Sequence, residues 1–126
     1  MDTGVSIRNK TNGKLPRLPF LRLKDAILGK KYELSVAFVS ARESKKLNLT
    51  YRNKDKSANV LSFPLTKTSG ELILDVATAK KQAPDFEMSV QKYLVFLVIH
   101  GMLHLKGYDH GSTMEREEKK FLKKFS

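Results

Sequence analysis

No cysteine occurs in the 126 residues. Disulfides, thiolate metal sites and cysteine nucleophiles are therefore excluded, which fits a reducing compartment. Long apolar runs are missing as well. The longest, Leu94 to Ile99, is far too short to span a bilayer. The stretch Met1 to Ile7 has no basic flank leading into an apolar core, so it does not read as a signal peptide. Repeats, low-complexity tracts and linkers are absent. The expectation is a soluble, cytoplasmic protein with no membrane partner, folding as one domain over residues 1–126. That length can bury a core without staples. Acidic residues are scarce, 13 against 24 lysines and arginines, for a net charge of +11. Such an excess points to a polyanionic partner, RNA or DNA ahead of acidic protein. A solubilising basic surface is the plainer alternative.

Histidine is also rare, and its placement is informative. All three histidines lie between residues 100 and 110, spaced H-x-x-x-H-x-x-G-x-x-H. On a helix, His100 and His104 share a face. Gly107 can end that helix and turn the chain, returning His110 as a third ligand. Three imidazoles with an open position describe a catalytic zinc site more than a structural one. Zinc is the expected metal, although imidazole sites also accept nickel, copper and iron. Zinc peptidases with this ligand spacing carry a glutamate after the first histidine as general base. Here that position is Gly101.

Taken in order, Val5 to Ile7 reads as a first strand. Leu18, Leu21 and Leu28 recur at helical spacing, giving a helix over about 16–28 that Gly29 stops. Residues 32–39 alternate as a strand. Ser40-Ala41-Arg42-Glu43 is a capping box opening a helix to Arg52, followed by a polar loop over 53–57. Residues 59–64 form a brief strand ended by Pro64, whose presence suggests a sheet edge. A turn over 66–70 joins it to a strand over 71–74. Asp75 caps a helix through Ala83 that Pro84 ends. Ser89 caps a long helix over 90–106, apolar on every side in its middle and so buried. Ser112 to Glu115 is a second capping box. In the helix it opens, glutamates at the start and lysines at the end complement the dipole. Met114, Phe121, Leu122 and Phe125 form its buried stripe. The fold class is α+β, a small mixed sheet of about four strands packed with helices around a central metal-bearing helix.

Residues 100–110 resemble the signature of the YbeY family, bacterial metal-dependent endoribonucleases linked to rRNA maturation. The signature H-G-x-L-H-L-x-G-Y-D-H is met at every fixed position. Leu47 to Asp55 and Val60 to Pro64 resemble the family's L-N-x-x-Y-R-x-x-D…V-L-S-F-P segment, and Gly70 to Leu74 resemble its glycine-acid-apolar strand. Ala58-Asn59 stands where the family often has Thr-Asp or Thr-Asn. The resemblance implies His100, His104 and His110 as metal ligands, with Arg52 close to the metal. It implies single-stranded and ribosomal RNA as substrate, with small-subunit proteins or an assembly GTPase as further partners.

Three neutral imidazoles leave zinc its full double charge, which brings the pKa of a water to about 7. Arg52, as the catalytic candidate, offers a planar fork matched to two phosphate oxygens. Its alternative is a surface arginine pairing with Asp55. Asp109 is expected to hydrogen-bond a ligand histidine or cap the turn rather than act as base. Tyr108 is expected to pack against the metal helix rather than stack on a base. Two other functions stay open beside the ribonuclease: a ribosome-assembly factor that binds RNA around a structural metal, and a zinc peptidase. Gly101 argues against the second.

Overall fold

The computed structural model describes residues 4–54 and 58–125. Expectations about Asp55, including its pairing with Arg52, lie outside the described residues. Four strands form one sheet: β1 (Val5–Asn9), β2 (Glu33–Phe38), β3 (Val60–Thr66) and β4 (Ser69–Leu74). The order is β1-β2-β4-β3. β1–β2 and β2–β4 are parallel, while β3 and β4 form an antiparallel hairpin. The helices are α1 (Phe20–Ile27), α2 (Ala41–Arg52), α3 (Val76–Gln82), α4 (Val90–Lys106) and α5 (Ser112–Phe125), with a 3-10 turn at Ala83–Phe86. The mixed sheet around a central helix is the α+β architecture expected.

Strand alternation sorts the core into two layers. Leu34, Val36, Phe38, Val60, Leu72 and Leu74 join the main cluster with residues of α1, α4 and α5. Ala37, Leu61 and Ile73 point to the other face, where Leu47 of α2 and Phe63 pack on them. α4 lies at the centre of the main cluster. Leu94, Leu97, Val98, Ile99, Met102 and Leu103 are all buried, because its sequence has no polar face to turn outward. Among the described residues no single helix is long and apolar enough to cross a membrane.

Several boundaries differ from the sequence reading. α1 starts at Phe20 rather than near Pro16, with Pro19 as its cap residue at ψ 59°. Each proline disfavours helical geometry in the residue before it, so no helix passes through 16–19. α3 ends at Gln82 with Ala83 as its cap residue, as Pro84 led one to expect. The chain tightens into the 3-10 turn, since a proline that cannot donate to residue i−4 still fits that winding. β3 runs through Pro64 to Thr66. The amide of Asp75 donates to the carbonyl of Asn59, so residues 59, 61 and 63 bond to β4. Residues 60, 62 and 64 aim their backbone groups at the open edge. Pro64 therefore gives up an N–H that β4 never needed. Ser112 is already helical, and Glu115 N–H donates to the Gly111 carbonyl, so the cap lies one residue earlier than expected.

Two buried polar groups fix the helices. Asp75 Oδ1 accepts from Thr78 N–H at 2.9 Å, and Oδ2 accepts from the hydroxyls of Thr78 and Ser44. One carboxylate thus caps α3 and ties α2 to the end of β4. Lys24 is wholly buried. Its ammonium donates to the Lys30 carbonyl at 2.9 Å and pairs with Asp25 Oδ1 at 2.8 Å.

Candidate metal centre

α4 delivers the histidines. Ser89 Oγ accepts the Lys92 N–H and starts the helix. At its other end, Gly107 N–H donates to the His104 carbonyl and Tyr108 N–H to the Leu103 carbonyl. This pair of bonds requires a left-handed residue, and Gly107 has φ 109°. The chain then turns back and places His110 against the other two. Ring centroids lie 4.6 Å apart for His100–His104, 5.2 Å for His100–His110 and 4.7 Å for His104–His110. One nitrogen from each lies within 4.8 Å of the others.

The hydrogen bonds around the rings fix their tautomers. His104 Nδ1–H donates to the Tyr108 carbonyl at 3.0 Å. A carbonyl only accepts, so the proton sits on Nδ1. His100 Nδ1–H donates to Glu118 Oε2 at 2.8 Å. With both rings neutral, as metal ligands must be, both Nε2 atoms are bare lone pairs facing each other across 3.1 Å. Two acceptors at that distance repel unless a cation lies between them. Tetrahedral coordination at about 2.0–2.1 Å places ligand nitrogens roughly 3.3–3.4 Å apart. The residues present therefore fit a divalent transition-metal ion held by His100, His104 and His110. Burial, and then coulombic repulsion from the His100 and His110 rings, hold the His104 imidazole below its ordinary pKa. These effects outweigh the Tyr108 bond and the Glu118 charge, so His104 favours the neutral form that a ligand needs.

The histidines line a cleft of about 500 Å³ together with Tyr51, Arg52 and residues 60–63. Arg52 ends α2, and Asn53 follows it at φ 55°. The structure thus brings the four residues singled out in the sequence to one cleft. The opposite wall is the open edge of β3, where Val60 and Ser62 present backbone N–H groups. Ser62 Oγ donates to the Gly101 carbonyl at 3.0 Å, so its hydroxyl is committed to holding α4.

Gly101 has a packing explanation. A Cβ there would lie 2.7 Å from Leu72 Cδ2, 3.1 Å from Ser62 Oγ and 3.2 Å from Val60 Cγ2. The position faces the sheet, not the cleft. Tyr108 is partly buried against the core, as expected. Asp109 is exposed, and the partners at the histidine Nδ1 atoms are instead Glu118 and the Tyr108 carbonyl. The sequence reading assigned Glu118 only to the dipole of α5. Its signal was an acid on an apolar stripe: it follows the buried Met114 by four residues and precedes the buried Phe121 by three.

The chain as a whole is similar to known proteins. Residues 16–126 match the family model described as Endoribonuclease YbeY. A protein of that name from Finegoldia magna is 42% identical over 92 residues, covering 68% of this chain and 60% of that protein. Another from Alkaliphilus metalliredigens is 39% identical over 98 residues, covering 69% and 63%. The matched stretch thus spans less than two thirds of these curated relatives. Among solved structures, the solution structure of TM1509 from Thermotoga maritima matches with a TM-score of 0.64 at 30% identity, covering 96% of this chain and 88% of that one. With a family model matched over most of its length, this chain belongs to the YbeY family.

Proposed function

We propose that this chain is a zinc-dependent endoribonuclease that cuts single-stranded RNA, acting in the cytoplasm in rRNA maturation and ribosome quality control. Ribosomal RNA, small-subunit proteins and an assembly GTPase are the partners this role implies. The observation that carries the reading is the pair of bare Nε2 lone pairs 3.1 Å apart in the cleft that Arg52 also lines. The names of the relatives supply the reaction class.

When bound, zinc would supply positive charge and Lewis acidity at His100, His104 and His110. The rest falls to the chain. Arg52 binds the scissile phosphate by two oxygens and offsets its charge. The Val60 and Ser62 N–H groups at the β3 edge give it further donors. Glu118 holds the His100 proton on Nδ1 and so keeps Nε2 aimed into the cleft. The peptidase alternative loses support, because a glutamate at position 101 would enter the sheet rather than the cleft.

The test is to measure metal content after purification without added metal, then cleavage of single-stranded RNA. Wild type is expected to retain about one zinc per chain and to cut. His104→Ala should lose both. Arg52→Ala should keep the metal and lose most of kcat/KM, and Arg52→Lys should not restore it. Equal cleavage by wild type and His104→Ala would refute the proposal. Cleavage of unstructured protein that survives Arg52→Ala would revive the peptidase.

A further inference from the structure

We propose that Tyr51 and Phe63 form a nucleobase-stacking subsite beside the histidine cleft. This rests on the reading of that cleft as a phosphodiester site and adds how the substrate is gripped. Tyr51 is 66% exposed, a large fraction for an aromatic ring on an ordered helix. It meets Phe63 edge to face, with centroids 5.3 Å apart and planes at 68°. That contact fixes the ring's orientation while leaving most of its surface to solvent.

Both rings line the histidine cleft. Both also line an adjoining groove of about 280 Å³, completed by Leu47, Leu65, Glu71 and Ile73. The two cavities therefore meet at the aromatic pair. One is cationic and rich in donors; the other is apolar. A nucleotide has the same division, with an anionic phosphate and a flat apolar base. Tyr51 precedes Arg52 directly, so one helical step separates the stacking surface from the phosphate ligand.

Charge decides which part of the nucleotide enters the groove. The Glu71 carboxylate, paired with Arg8 at 3.7 Å, leaves no net positive charge in the groove, which suits a base and gives a phosphate nothing to bind. Arg52 on the other side attracts the phosphate. Stacking would also suit a substrate of mixed sequence, since every base has a π-face. The groove takes a single base, with its phosphate held in the cleft.

The test uses the metal-loaded protein and a 5′-labelled single-stranded hexa-adenylate, with kcat/KM for cleavage and affinity by fluorescence anisotropy. Melting temperature and metal content serve as fold controls. Tyr51→Phe should stay within about twofold of wild type, and Tyr51→Leu should lose about 5- to 100-fold, the usual loss for one stacked base. A hexamer with one base removed at each position in turn should lose the same factor at one position with wild type. With Tyr51→Leu it should lose nothing more there. Unchanged kcat/KM and affinity in Tyr51→Leu would overturn the subsite and leave this surface to a protein partner, with the ribonuclease reading intact. If wild type cuts no RNA, the ribonuclease reading fails and anisotropy alone decides. Weaker binding by Tyr51→Leu but not Tyr51→Phe would sustain the subsite, whereas absent or equal binding would overturn it.

Discussion

Consider replacing Gly101, the residue that stands where a zinc peptidase has its glutamate. Alanine at this helix position would gain about 1 kcal/mol in backbone propensity. Against that, its Cβ would meet Leu72 Cδ2 at 2.7 Å, Ser62 Oγ at 3.1 Å and Val60 Cγ2 at 3.2 Å. Leu72 has no exposed surface, so its methyl can retreat only into packed neighbours. Overpacking of this kind costs about 1–3 kcal/mol. Displacing Ser62 also weakens its bond to the Gly101 carbonyl, a further loss of about 1 kcal/mol. The net expectation for Gly101→Ala is a destabilisation of about 1–3 kcal/mol. At this chain length that lowers Tm by roughly 3–12 °C. Gly101→Glu would drive a carboxyl group between α4 and the sheet, where overpacking and an unpaired polar group together cost roughly 3–10 kcal/mol, comparable to the roughly 5–15 kcal/mol that holds a small domain together. It should not fold. Circular-dichroism melts of the three proteins, with and without zinc, make the comparison. A Gly101→Ala protein melting at or above wild type would refute the packing argument. A folded Gly101→Glu protein with peptidase activity would refute the orientation of the position itself.

Three more outcomes follow from the same contacts. Glu118→Ala frees the His100 Nδ1 proton from its carboxylate and should weaken zinc binding by about 10- to 100-fold in chelator competition; unchanged affinity would remove Glu118 from the site. In metal-free protein the folded His104 pKa lies below its ordinary value. The neutral state then contributes stability that is complete above about pH 6.5 and is lost as pH falls from there toward the folded pKa. Melts from pH 7.5 to 5 should therefore decline more steeply for wild type than for His104→Gln, and parallel curves would contradict the shift. Lys24→Ala removes a buried stem and a fully enclosed ammonium. It should cost about 2–4 kcal/mol in urea denaturation, with Lys24→Met losing roughly half as much.

Much of the site was legible because its signals are local. The i,i+4 histidine pair, the apolar run before it, Ser89 at one end and Gly107 at the other all act within one helix and one turn. The sheet class was legible for a similar reason, since alternation and a short turn suffice to read the β3–β4 hairpin. What escaped required a second element to arrive. Glu118 meets His100 only after α5 folds back on α4. Gly101 shows its purpose only when β3 and β4 supply Val60, Ser62 and Leu72. Arg52 was named only through the family resemblance, since its place in the cleft depends on α2 meeting β3 and the histidine turn. The error at Pro64 has a plain source. A proline forbids one donor, and whether that matters depends on whether a partner was waiting for it. At Pro64 none was, because its backbone faces the open edge.

That open edge bears on the choice between substrates. The C-terminal turn of a helix carries partial negative charge and favours a cation, and His100 and His104 occupy the last two turns of α4. Facing them, the β3 edge alternates N–H donors with C=O acceptors. The positive charge on the anion's side of the cleft therefore comes from Arg52, with the Val60 and Ser62 N–H groups beside it. An extended peptide would use such an edge differently, by adding a strand along it. For that it needs a run of outward donors at alternate residues. β3 supplies them at Val60 and Ser62, and then Pro64 occupies the next outward position with no N–H. Prolines at strand edges block pairing in this way. A peptide strand would therefore find two donors and stop. A phosphate needs no more than two, and Arg52 adds the planar fork that a neutral amide could not repay. The same residue that misled the reading of β3 thus narrows the chemistry of the cleft toward phosphodiesters.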